Sequence, residues 1–244
     1  MSSDLQVSDL RALLISHEEE AAPAIIGQML AARGVRIERH VVLPPDGSVN
    51  TEFPDLDSYD LVVAFGSFHN AYDPTAADWV GAEVELIQQT MATETPYLGI
   101  CFGGQLLSMA VGGSVELAPE ANQEVGVVQI KARTPDFPVP SGPWFAWHED
   151  RIRLPEDPRI EVLADNENAV QAFRCGSAVG LQFHPEVDRA LVADWLRIGE
   201  HHLPAHWTSQ RLLEVWAEAE PEAHRNCELL VDWVIEDLVG AQRA

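Results

Sequence analysis

Basic residues are scarce in this chain. Fifteen Lys and Arg stand against 39 Asp and Glu over 244 residues, the formal net charge is −24, and Lys131 is the only lysine. With no Lys/Arg cluster, nucleic acid and anionic membrane surfaces are poor partners, and any phosphate would fall to scattered Arg. Cysteine is equally sparse. Cys101, Cys175 and Cys227 are odd in number and have no disulfide spacing, which fits a reducing compartment. No apolar run approaches the ~20 residues of a membrane span, and Met1–Leu5 offers no basic region followed by an apolar core, so a cytoplasmic chain is expected. A Gly-x-x-x-x-Gly-Lys-Ser/Thr motif is missing, as are repeats and low-complexity segments. His201, His202 and His206 lack an accompanying Cys or paired carboxylate, so no metal site is expected there.

The length suits one α/β domain burying roughly 70–75% of its unfolded surface. Apolar runs at 10–15, 35–43, 60–65 and 97–100 alternate with helical patterns, an order that predicts a largely parallel sheet with helices on both faces. The first helix is expected to open at Ser16, with Glu18–Glu20 on its positive end, and to stop at Gly34. A second runs through Trp79, Val80, Glu83, Val84 and Ile87, capped by Asp73 or Thr75. Residues 1–9 are polar and expected to fray. Residues 133–143, with four prolines and Gly142, read as a loop able to fold over a site. Short strands follow at 161–164, 170–174 and 178–183. From 188 to 244 the apolar stripes predict three helices, a C-terminal extension packed on the domain formed by 1–187.

Two segments carry chemistry. Pro96 to Gln105 reads as a buried strand ending in Gly99-Ile100-Cys101-Phe102-Gly103, the cysteine form of a nucleophile elbow, with a helix behind it. The helix N-terminus favours thiolate at Cys101. In Gln182-Phe183-His184-Pro185-Glu186-Val187, His184 sits at a strand end, held extended by the following proline, with Glu186 able to reach its other ring nitrogen. Nucleophile, base and orienter are thereby assembled.

Gly-Ile-Cys-x-Gly-x-Gln followed about eighty residues later by Phe-His-Pro-Glu resembles the class I, or triad, glutamine amidotransferases, especially the branch of the GMP synthetase amidotransferase domain. The resemblance covers about residues 10 to 200. It implies a flavodoxin-like fold: an open, mostly parallel sheet with helices on both faces. It also implies cofactor-free hydrolysis of a γ-glutamyl amide by Cys101, His184 and Glu186. The family commonly carries Gly-Gly-Pro after its third strand, where a backbone N–H helps hold the oxyanion. Here Gly66, Ser67 and Phe68 stand there, so the loop differs in shape, and Phe102 N–H is the second donor. Gln105 matches a family residue that touches glutamine, Gly126 lies in a matching Glu-x-Gly segment, and His148 precedes an acidic residue near the pocket. His148 reads equally as a substrate-side or a structural residue.

Gly104 stands where related enzymes often carry His, which suggests room beside Cys101 for a larger leaving group flanked by Phe68, Trp144 and Trp147. Two other readings stay open. One is an ammonia-supplying subunit with a separately encoded synthetase as partner, or a homo-oligomer; the other is a non-catalytic flavodoxin-like module that binds a flavin or phosphate.

Overall fold

The computed structural model describes residues 10–135, 137–139 and 141–243. Its first half alternates strand and helix: β1 (Arg11–Ser16), α1 (Ala24–Ala32), β2 (Arg36–Val41), β3 (Leu61–Ala64), α2 (Ala77–Ala92), β4 (Tyr97–Ile100) and α3 (Phe102–Ala110). Then come β5 (Ser114–Leu117), β6 (Glu124–Val128), β7 (Lys131–Ala132), β8 (Trp144–His148), β9 (Asp150–Arg153), β10 (Ile160–Asp165), β11 (Val170–Cys175) and β12 (Ala178–Leu181). Helices α4 (Arg189–Gly199) and α5 (Ser209–Trp233) follow, α5 passing into a π-helical stretch, Val234–Val239, and a last helical turn, Gly240–Arg243.

Eight strands form one sheet in the order β2-β1-β3-β4-β12-β11-β10-β7. The first five are parallel and the last three antiparallel. The parallel part has the flavodoxin-like order 2-1-3-4-5, with β12 as fifth strand, and loops after its strands form the ligand side of such sheets. Strand alternation explains why helices cover both faces. Leu10, Ala12 and Leu14 join one core with Leu61, Val63, Leu98, Ile100 and Val179, covered by Ile25, Ile26 and Leu30 of α1 and Cys227, Leu230 and Val231 of α5. Leu13, Ile15, Val62, Ala64 and Tyr97 face the other way, onto Trp79, Val80 and Ile87 of α2 and Leu106 and Leu107 of α3. Two ribbons, β5–β9 and β6–β8, lie outside this sheet.

Four expectations change. Ser16 ends β1 instead of capping a helix: its hydroxyl accepts from Arg39 Nε at 3.2 Å, and α1 begins eight residues later. Asp73 makes a local turn with Thr75, while α2 starts at Ala77 without a side-chain cap. The second and third C-terminal helices are one. Trp216 and Cys227 are eleven residues apart, about three turns, so their stripes share a face and α5 continues through Pro221. Finally, Phe137 and Val139 are buried in the core, Phe137 edge-on to Trp233 with centroids 5.7 Å apart, so these residues of the 133–143 loop pack inward. Residues 1–9, 136 and 140 lie outside the described residues.

The extension is part of the same packing unit. Leu191, Val192, Trp195 and Leu196 of α4 meet Leu212 and Trp216 of α5 and Phe145 of β8 in a third core.

The elbow depends on backbone contact between α3 and the sheet. A Cβ on Gly103 would strike the Ala64 carbonyl, and one on Gly104 the Leu181 carbonyl. Gly104 is therefore a helix–strand contact point, and its missing side chain opens no space around Cys101. Gly103→Ala or Gly104→Ala should cost about 1–3 kcal/mol by overpacking. Gly81→Ala, in α2 with open space at its Cβ, should stabilise by about 1 kcal/mol. Urea unfolding checks both; equal, near-zero effects at 103, 104 and 81 would contradict this packing.

Candidate active site

Cys101 follows β4 directly and caps α3 with φ 50° and ψ −102°, a backbone conformation uncommon outside glycine. Its own N–H donates to Leu181 O at 2.8 Å and its carbonyl accepts from Gln105 N at 2.9 Å. The side chain is thus projected beyond the carboxyl ends of the parallel strands. Phe102 is the first residue of α3, where an N–H has no intrahelical acceptor.

His184 lies three residues beyond β12, the strand paired in register with β4. Its N–H donates to Phe145 O at 2.8 Å, which pins it to β8. Nδ1 is 2.7 Å from Glu186 Oε1, and Cys101 is the ring's other polar neighbour. Gln182 Nε2 donates to Cys101 Sγ at 3.7 Å, and Trp195 of α4 packs edge-on to the imidazole at 4.8 Å. Burial lowers the His184 pKa, but the Glu186 carboxylate and then Cys101 outweigh it and lift the value to about 10. The ring is held as an imidazolium between a carboxylate and a sulfur, an arrangement suited to storing and returning a proton. Burial pushes the thiols of both Cys175 and Cys227 up, away from the thiolate form.

Gly66 follows β3 and abuts this group: a Cβ there would lie 3.1 Å from His184 Cε1. Glu18 gathers the next residues, accepting from Ser67 Oγ at 2.8 Å and Phe68 N at 3.3 Å and pairing with His69 Nδ1 at 3.1 Å. That pairing raises the His69 pKa.

Cys101, Phe102, Gln105, His184, Gly66, Ser67 and His148 all line one cavity of about 260 Å³. Phe68, Trp147, Trp195, Ile198, His201 and His202 form its outer wall. His148 Nδ1 is 2.9 Å from the Asp150 carbonyl, while Nε2 lies 3.3 Å from Glu124 Oε2 without a hydrogen-bond partner. Glu124, despite burial, is held below its usual pKa by His148 and by Asn168 and Asn166. Gly126 is not in the lining; it adopts φ 109° beneath Trp207 and Leu212. Trp144 is buried against Phe183 and also stands apart from the cavity.

Sequence reasoning missed Gln182, Trp195, Glu18, His17 and Glu83. For Glu83 a signal existed, since a carboxylate at helical spacing among Trp79, Val80 and Ile87 falls on the buried face. Trp195 and His17 gave no local signal, because their partners are brought close only by the fold.

A model of the class-I glutamine amidotransferases matches residues 24–191, and the chain belongs to that family. Gamma-glutamyl peptidase 5 of Arabidopsis thaliana is 30% identical over 158 residues, 59% of this chain and 61% of that one. A GMP synthase of Thermomicrobium roseum is 36% identical over 134 residues, 52% of this chain and 23% of that one. A gamma-glutamyl-L-1-hydroxyisopropylamide hydrolase of a Pseudomonas species is 29% identical over 182 residues, 66% and 58% of the two. The chain thus spans less than two thirds of each of these curated relatives. A crystal structure of a Thermotoga maritima glutamine amidotransferase superposes with a TM-score of 0.80 at 29% identity, covering 95% of this chain and 98% of that one. No helix among the described residues is long and apolar enough to cross a membrane.

The raised His184 pKa makes a stability prediction. Its folded value stands above the unfolded 6.5, so the pairing stabilises fully below pH 6.5 and is lost as pH rises toward 10. Glu186→Gln removes the carboxylate that raises it. The variant should be less stable than wild type by about 1.5–3 kcal/mol below pH 6.5, with the gap narrowing as pH rises. Urea unfolding across that range is the check; a gap that widens with pH would contradict the imidazolium.

Proposed function

We propose that this chain hydrolyses γ-glutamyl amides, with Cys101 as nucleophile, His184 as proton carrier and Glu186 orienting the ring. The observation that carries this reading is the grouping of Cys101, His184 and Glu186, with His184 bonded to Glu186 and Cys101 beside it in a cavity partly walled by the chain's own α4. Cys101 Sγ, its proton resting on His184, attacks the side-chain carbonyl carbon. The carbonyl π pair moves to oxygen, and the oxyanion accepts hydrogen bonds from Phe102 N–H and the Gly66–Ser67 backbone. His184 then protonates the amide nitrogen, the C–N bond breaks, and the amine leaves a γ-glutamyl thioester. Neutral His184 takes a proton from water, the hydroxide attacks the thioester, and collapse frees glutamate and the thiolate.

The substrate is proposed to carry an apolar substituent on its amide nitrogen. Phe68 and Ile198 at the cavity mouth are 48% and 41% exposed, beside Trp147 and Trp195, an apolar rim that ammonia would not use. The relatives named gamma-glutamyl peptidase 5 and gamma-glutamyl-L-1-hydroxyisopropylamide hydrolase favour a substituent on that nitrogen. Covering on the order of 80 Å² of that surface contributes about 2 kcal/mol, or about 30-fold in kcat/KM. The second reading, an ammonia-supplying subunit, draws on the GMP synthase relative, whose remaining length this chain does not match.

The test is kcat/KM for glutamine against γ-glutamyl alkyl- and arylamides without any partner protein. A preference of about 30-fold for the substituted amides is expected. No turnover of any of them, with glutamine hydrolysis switched on by a separately encoded synthetase, would replace the hydrolase with the ammonia donor.

A further inference from the structure

His17 follows β1 at the point where the sheet order reverses between β1 and β3. It is completely buried, as is Glu83 of α2. His17 Nδ1 is 2.8 Å from the Gly66 carbonyl oxygen, and Nε2 is 2.9 Å from Glu83 Oε2. A carbonyl oxygen only accepts, so Nδ1 carries a hydrogen and donates it. The ring also packs edge-on to Phe102, centroids 4.7 Å apart, with Trp79 against both. Burial lowers the His17 pKa, but Glu83 more than offsets that and raises it, which favours a ring donating from both nitrogens.

Residue 66 has to be small, since His184 Cε1 lies 3.1 Å from where its Cβ would be. Glycine at that position frees the following peptide to rotate. A rotated Gly66–Ser67 peptide would turn its carbonyl oxygen, a repulsive group, toward a developing oxyanion. In a planar trans peptide the C=O and N–H point to opposite sides, so the direction of one sets the other.

We propose that His17 and Glu83 are positioning residues: the buried pair holds the Gly66 carbonyl inward and thereby aims the Ser67 N–H at the oxyanion in the cavity. This rests on the hydrolase reading for its kinetic consequence, not for the geometry itself. Glu18 holds the next peptide, accepting from Phe68 N as well as Ser67 Oγ, while the Gly66 carbonyl is bonded to His17. The His17 ring also packs against the side chain of Phe102, the residue that carries the other donor.

The variants are His17→Leu, which removes the donor, His17→Asn, whose amide N–H can replace Nδ1–H, and Glu83→Gln, which loosens the ring. On a γ-glutamyl amide, His17→Leu should lose about 10²–10³ in kcat with KM little changed, and His17→Asn should recover much of it. Alkylation of Cys101 by iodoacetamide displaces iodide and forms no oxyanion, so its rate should match wild type in all folded variants. If alkylation falls in parallel with kcat, the residues merely support the cysteine and the proposal is overturned. Crystal structures of wild type and His17→Leu read the peptide directly, whatever the substrate. A Gly66–Ser67 peptide rotated or split between orientations in the variant is expected; an unmoved peptide overturns the clamp. Should His17→Leu fail to fold, His17→Asn and Glu83→Gln provide the same structural comparison. Wild type inactive on every amide, with the peptide rotated in the variants, would sink the hydrolase reading and leave the clamp standing.

Discussion

The backbone of Cys101 is the constraint on which the rest of the molecule depends. Holding a non-glycine residue at φ 50° and ψ −102° costs on the order of 1–3 kcal/mol, and the surroundings over-determine it. Cys101 N is tied to β12 through Leu181 O, and Gly103 N to Phe65 O beyond β3. The Tyr97 hydroxyl reaches back from β4 to the Gly103 carbonyl at 3.0 Å. Gly103 meets β3, Gly104 meets β12 and Gly99 of β4 meets Gly103, so the helix is seated backbone to backbone on all three strands. A sulfur held this rigidly faces the imidazole that β12 delivers, with no loop closure required.

The C-terminal helices join structure to chemistry. Cys227, Leu230 and Val231 cover one sheet face, and Trp195 touches both the His184 ring and, through its indole N–H, the Glu20 carbonyl at 3.0 Å. The family model ends at residue 191, whereas Trp195, Ile198, His201 and His202 line the cavity. The segments carrying Cys101 and His184 therefore lie in the part shared with the family, and part of the remaining lining is built from residues C-terminal to it.

Much of this was legible in the sequence. The parallel sheet could be read because β1, β3, β4 and β12 are short apolar runs separated by helical patterns, and the Cys101 and His184 motifs are local, so spacing alone exposed them. Contacts between distant segments could not be read. His17 looked like part of a helix start because three glutamates follow it, yet the chain instead turns there and sends the ring to Gly66 and Glu83. Gly126 matched a substrate-bordering segment, but the fold lays Trp207 over it. The stripes through Trp216 and Cys227 suggested two helices because Pro221 separates them. Packing on both sides keeps α5 continuous, a tertiary effect that local propensity does not report.

The central claim is that Cys101 carries a γ-glutamyl group during turnover. Steady-state reactions with a γ-glutamyl amide, quenched in acid and mapped by mass spectrometry, read it directly. The account predicts a γ-glutamyl adduct on the Cys101 peptide and none in Cys101→Ala. Turnover that persists in Cys101→Ala, or an adduct confined to Cys175 or Cys227, would contradict it.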